Sequence, residues 1–121
     1  MEPARLTFHL TPAHWWKAAD PAAPLSAPSL ESEGFIHCTT GADEMVATAN
    51  RHYRDDPRAF VVLTLDLGRL GAPVRVDDAG AVYPHVFGPL DRAAIVDVRP
   101  MPRDADGTFL PFVADDAAVG G

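Results

Sequence analysis

Leu6, Phe8 and Leu10 alternate with Thr7 and His9, a period of two that predicts a half-buried strand over 5–10. Thr11-Pro12 reads as an N-cap followed by a first helical position, because proline needs no amide partner there. The helix it opens runs through His14, Trp15, Trp16 and Ala19 and stops before Asp20-Pro21. Residues 21–29 carry three prolines and no period, so they read as a loop. Gly34 to Cys38 is a second strand. Thr40 then caps a second helix, with Asp43 and Glu44 in its first turn and Met45, Val46, Ala49 and Tyr53 on one face. Asp55-Asp56-Pro57 breaks it. Residues 59–66 are apolar at nearly every position, the mark of a mid-sheet strand covered on both sides. Residues 67–71 form a turn or a single helical turn. Further strands are expected over 73–77, 82–87 and 93–101, with turns at 78–80 and 104–107 and a short strand over 109–113. Pro84 lacks an amide donor, which puts its strand at an edge or on a bulge.

Two early helices and at least five strands, mostly later, argue an α+β fold rather than alternating βαβ units. A length of 121 residues fits a single domain spanning 1–121, with a frayed tail over 114–121.

Composition narrows the function classes. A net charge of −7 argues against general binding to a phosphate backbone. No apolar run reaches membrane-spanning length, and the N-terminal residues lack a basic region followed by an apolar one. Cys38 is the single cysteine and has no internal disulfide partner, which fits a reducing, cytoplasmic setting.

The chemistry concentrates in two runs, Glu33-Gly34-Phe35-Ile36-His37-Cys38-Thr39-Thr40 and Tyr83-Pro84-His85-Val86-Phe87-Gly88-Pro89-Leu90. Strand alternation sets His9, His37 and His85 each on the face not taken by the aliphatic residues, with Phe35, Tyr83 and Phe87 beside them. If those faces coincide, three imidazoles and several aromatic rings line one cleft. Imidazole exchanges protons near neutral pH, binds metal or hydrogen-bonds a ligand, and aromatic walls suit a flat ring. The plainer reading of each histidine is a hydrogen-bonded strand-edge residue. Zinc on His9, His37 and His85 would match a known three-imidazole arrangement, yet none of the three has a closely spaced partner ligand. His37 and Cys38, as strand neighbours, point to opposite faces and do not pair, so Cys38 reads as a buried, inert thiol. Thr39-Thr40 is first a helix cap. A helix N-terminus also attracts anions, where Arg51 could assist. No glycine-rich phosphate loop, paired-carboxylate site or nucleophile elbow is present.

Taken together, the segments His9-Leu10-Thr11, Gly34-Phe35-Ile36-His37-Cys38-Thr39, Ala49-Asn50-Arg51-His52-Tyr53 and Tyr83 to Leu90 resemble domain-of-unknown-function family 952, whose pattern reads roughly GFIHCS followed by FPHLYGPL. The resemblance covers most of the chain, from about Leu6 to Phe112. This chain departs from the pattern with Thr39 for serine, Tyr83 for phenylalanine, Val86 for leucine and Phe87 for tyrosine. The last change removes a hydroxyl.

The resemblance implies a fold similar to ADP-ribosyltransferases, a split, mostly antiparallel sheet around an NAD-binding cleft. It would place His9 where those enzymes hold the nicotinamide ribose, His37 and Thr39 on the second strand, and His85 on a later strand lining the cleft. The transferase glutamate has no counterpart around Tyr83 to Gly88, which weakens a protein-modifying role. RNA 2′-phosphotransferases, which use histidine and arginine, lack that glutamate too. Shared fold is an analogy for function.

The expectation is therefore a cytoplasmic protein that binds NAD or a related nucleotide. His9, His37 and His85 would sit at any chemistry, which would be ADP-ribose transfer or NAD cleavage. Thr11, Phe35, Thr39, Thr40, Arg51, Tyr83, Phe87 and Gly88 would surround the ligand. A non-catalytic binding module and a histidine-metal hydrolase are the alternatives.

Overall fold

The computed structural model describes residues 6–77 and 80–112. Its elements in chain order are β1 (Leu6–Pro12), α1 (Ala13–Ala18), α2 (Pro28–Glu33), β2 (Ile36–His37), α3 (Ala42–Tyr53), β3 (Phe60–Asp66), β4 (Val74–Arg75), β5 (His85–Val86) and β6 (Ile95–Pro100). Short 3₁₀ turns at Leu67–Arg69 and Arg92–Ala94 complete it.

The apolar run of β3 does what its composition predicts. It is the middle strand of an antiparallel sheet ordered β1-β3-β6, and Phe60 to Leu65 are all buried. Alternate residues serve two cores. Val61, Leu63 and Leu65 face a cluster with Leu25, Ile36, Cys38, Val86 and Leu90, while Phe60 and Val62 face Phe8, Met45, Ala49, Met101 and Phe109. The first core holds the second sheet, ordered β2-β5-β4, against the first. The second core holds α3. The fold is thus α+β with two three-stranded antiparallel sheets.

Several expectations give way. Thr11 and Pro12 continue β1 rather than starting a helix, because their backbone pairs with Val61 and Phe60. The helix begins at Ala13 with no side-chain cap. The loop expected through Ser29 ends early. Pro28 opens α2 as its first residue, a third helix that six residues without clear periodicity did not reveal. Gly41, not Thr40, precedes α3, and the Thr40 hydroxyl donates instead to Thr7 Oγ1 at 2.9 Å. Pro84 was expected to put its strand at an edge or on a bulge; the edge alternative falls, because β5 is the centre of its sheet. The proline sits just outside the two-residue ladder, and its carbonyl accepts from Cys38. The strands expected over 34–38, 73–77 and 82–87 shrink to two paired residues each, and the one over 93–101 starts after a 3₁₀ turn. Phe109 makes only an isolated bridge to Arg103. Of the predicted turns, 104–107 is present, with Gly107 N–H donating to Asp104 C=O at 3.2 Å. Residues 78–79 and the tail 114–121 lie outside the described residues.

Candidate functional site

The two sheets meet along one edge. Phe8 and Thr39 exchange backbone hydrogen bonds of 2.9 and 2.8 Å, and no other backbone pair joins β1 to β2 among the described residues. One residue further along β1, a side chain replaces the ladder: His9 Nδ1 bonds the His37 carbonyl at 2.7 Å. That carbonyl can only accept, so Nδ1 carries the proton and Nε2 of the neutral ring is an acceptor. Burial lowers the His9 pKa below its ordinary 6.5; the His37 carbonyl opposes this shift and the nearby His37 ring adds to it. His9 is therefore a neutral imidazole with a fixed tautomer, and Nε2 has no protein partner among the described residues.

Beside this junction lies a cavity of about 830 Å³. Its walls come from β1 (Phe8 to Pro12), α1 (Trp15), the start of α2, β2 with Cys38 and Thr39, α3 (Met45, Thr48, Arg51, His52, Tyr53), and Tyr83 and His85. Ala27, Glu33, Arg58, Phe60 and Asp77 complete the lining.

The motif around His37 is legible physically. Gly34 ends α2 at φ +89°, a conformation glycine adopts at little cost, and the chain turns straight into β2. That turn brings the Glu33 carboxylate to His37, with both oxygens 3.2 Å from Nε2. The pairing of His37 with His85 across β2 and β5 puts both rings on the open face of the second sheet, 5.6 Å apart, while Ile36 and Val86 enter the core. Phe35 stacks on His85 at 4.3 Å and contacts Phe87 at 5.3 Å.

The three histidines do not share one sheet face. His37 and His85 do, but His9 lies on a buried face of the first sheet opposite Leu63. What unites the three is the cavity. Thr11, Thr39, Arg51 and Tyr83 also line it. Phe35, Thr40, Phe87 and Gly88 do not. Phe35 and Phe87 form an aromatic ledge against His85, Thr40 bonds Thr7, and Gly88 is a packing residue, since a Cβ there would stand 2.7 Å from that of Ala72. Burial pushes the Cys38 thiol up to about 12, as expected of an inert cysteine. Among the described residues, no three His, Cys, Asp or Glu side chains gather closely enough to hold a metal ion. The three-histidine zinc arrangement therefore lacks its geometry.

Trp15 and Thr48 are cavity residues outside the motifs, and Glu33 and His52 stand within motifs that gave them no role. Two signals were available. Glu33 stands four residues before His37 across a glycine, and Thr48 shares a helical stripe with Met45, Arg51 and His52.

Residues 10–98 match the sequence profile of a family described as protein of unknown function, DUF952. The chain is similar in structure to protein CC0527 from Caulobacter crescentus. Its crystal structure is 26% identical with a TM-score of 0.69, covering 87% of this chain and 93% of that one. The solution structure of CC0527 is 23% identical with a TM-score of 0.66, covering 85% and 90%. No match is found among curated proteins. Among the described residues, no helix is long and apolar enough to cross a membrane.

Proposed function

The chain belongs to the DUF952 family of proteins of unknown function, and from that premise we propose that its cavity binds a nucleotide of the NAD class. The observation that carries this reading is His9. A neutral imidazole held by the His37 carbonyl turns an unshared acceptor toward donors such as ribose hydroxyls or a carboxamide. The surroundings agree in size and chemistry. A volume of about 830 Å³ falls within the range of roughly 300–1,000 Å³ typical of small-molecule sites. The walls offer flat aromatic surface from Trp15, Tyr53 and Tyr83, and hydroxyls from Thr11 and Thr39. Arg51 supplies positive charge in a protein of net charge −7.

Calorimetric titration with NAD, with ADP-ribose and nicotinamide as parallel ligands, tests the proposal. Saturable binding is expected, and His9→Asn should weaken it at least tenfold. The asparagine amide can still donate to the His37 carbonyl, so the junction is kept while the Nε2 acceptor is lost. His37→Ala should weaken it as well, by removing a ring at the cavity wall. An absence of binding at millimolar ligand would sink the reading.

A further inference from the structure

Arg51 differs from every other described arginine. Arg54, Arg58, Arg69, Arg75 and Arg99 each face an aspartate, while Arg92 and Arg103 bind backbone carbonyls. Arg51 has no hydrogen-bond, ion-pair or ring partner among the described residues, although carboxylates outnumber basic groups in the chain by seventeen to ten. It is not placed at random on the surface, since it lines the cavity. The two carboxylates that share that lining are taken, Glu33 by His37 and Asp77 by Arg75.

One turn earlier on the same helix stands a second unsatisfied group. Thr48 Oγ1 is shielded from solvent and has no hydrogen-bond partner among the described residues. Native proteins seldom leave such an oxygen orphaned, because it loses its water without compensation. Thr48 lines the cavity too, as does His52, four residues on. Residues at these spacings project from one side of a helix. Threonine populates two χ1 wells in a helix, so its hydroxyl can turn toward a bound group at small cost.

We infer that Thr48, Arg51 and His52 form an oxyanion subsite on the α3 wall, which takes a phosphoryl group of the bound ligand. A guanidinium offers two parallel donors to phosphate oxygens, and a hydroxyl and an imidazole on the same side of the helix add further donors. The inference rests on reading this cavity as a ligand site and adds the group the ligand must carry. Ligands with a diphosphate fit; nicotinamide or adenosine alone leave Arg51 unpaired. The orphaned hydroxyl is retained at a cost to stability, as expected of a group kept for a ligand.

The test is titration of the full chain with sodium pyrophosphate, ADP-ribose and adenosine, at low and high salt. Pyrophosphate and ADP-ribose should bind, more weakly as salt rises, and adenosine should bind far less well. Arg51→Ala should weaken both phosphorylated ligands by about tenfold to a hundredfold, the range for losing a charge-assisted hydrogen bond. Arg51→Lys should restore only part, because the planar fork is lost. Thr48→Val should weaken binding several-fold while raising Tm by a few degrees, since an unsatisfied hydroxyl is gone. That opposed pair of changes is not expected of a merely structural threonine. Unchanged affinity in Arg51→Ala, or no binding of either phosphorylated ligand, would overturn the subsite. Binding of pyrophosphate that needs Arg51, with no binding of ADP-ribose, would keep the subsite and defeat the nucleotide reading. Equal binding of ADP-ribose to wild type and Arg51→Ala would do the reverse.

Discussion

Asn50 lies beside Arg51 on α3 and ties that helix to the C-terminal segment. Its Nδ2 donates to the Phe109 carbonyl at 3.1 Å, and its Oδ1 accepts from the Phe109 N–H at 2.7 Å. Phe109 is 1% exposed and sits in the core that holds α3. Asn50→Ala would therefore leave a buried donor and a buried acceptor unpaired on one residue, Phe109. At roughly 1–3 kcal/mol for each unsatisfied group, the loss is about 2–6 kcal/mol. For 121 residues the unfolding entropy is roughly 0.25 kcal/mol per degree, so Tm should fall by about 8–24 °C.

Asn50→Asp makes the sharper test. An ionised carboxylate still accepts from the Phe109 N–H but meets the Phe109 carbonyl with charge instead of a donor. A protonated carboxyl reproduces both bonds. Its folded pKa should thus be raised above the unfolded value, so the native state binds more protons between the two. Stability relative to wild type should be near normal at pH 4 and be lost as pH rises through the folded pKa. Urea unfolding followed by circular dichroism, run on wild type and both variants from pH 4 to 8, measures this. Asn50→Ala should show a deficit nearly independent of pH. A deficit under 0.5 kcal/mol in Asn50→Ala, or an Asn50→Asp deficit that does not shrink in acid, would refute the reasoning.

Two further outcomes follow from buried groups. Burial holds the His9 pKa below 6.5 in the folded state, so the unfolded chain binds more protons in mild acid. The His9 contribution is complete above pH 6.5 and is lost as pH falls toward the folded pKa. The stability difference between wild type and His9→Asn should then narrow from pH 7.5 to pH 5, and a constant difference would contradict a neutral His9. Cys38, with its thiol held up to about 12 by burial, should react with a disulfide reagent at pH 8 only after urea unfolding. Stoichiometric labelling of the native protein would show that the site is open.

Much of the fold was legible where a side-chain pattern is set by local backbone geometry. The unbroken apolar run of β3 and the alternation of β1 needed only the two-residue period of a strand. The length of α3 followed from its helical stripe and the proline after it. What escaped were α2 and the extent of the short strands. The strands expected over 34–38, 73–77 and 82–87 are present as β2, β4 and β5 but with two paired residues each, because partners distant in sequence set where such a ladder ends. The edge position offered for Pro84 failed because a rule about ladder donors is silent on where a two-residue ladder begins. The capping role given to Thr40 failed because Thr7, thirty-three residues away, offered its hydroxyl a partner.

The candidate site divides along the same line. The chain alone marked His9, His37 and His85 through strand alternation, and Arg51 through its place on the helix that follows Thr39-Thr40. It could not say that His9 is buried and neutral while His37 and His85 lie open, since all three have the same alternating neighbours. Burial depends on which sheet face another layer covers, and that is decided by the bridge at Phe8 and Thr39 and the packing of the second sheet. Nor could it single out Thr48, an ordinary helix threonine. That its hydroxyl is shielded beside a cavity, one turn from an unpaired arginine, exists only once α3 is laid against β1, because the want of a partner is a property of surroundings and not of a residue.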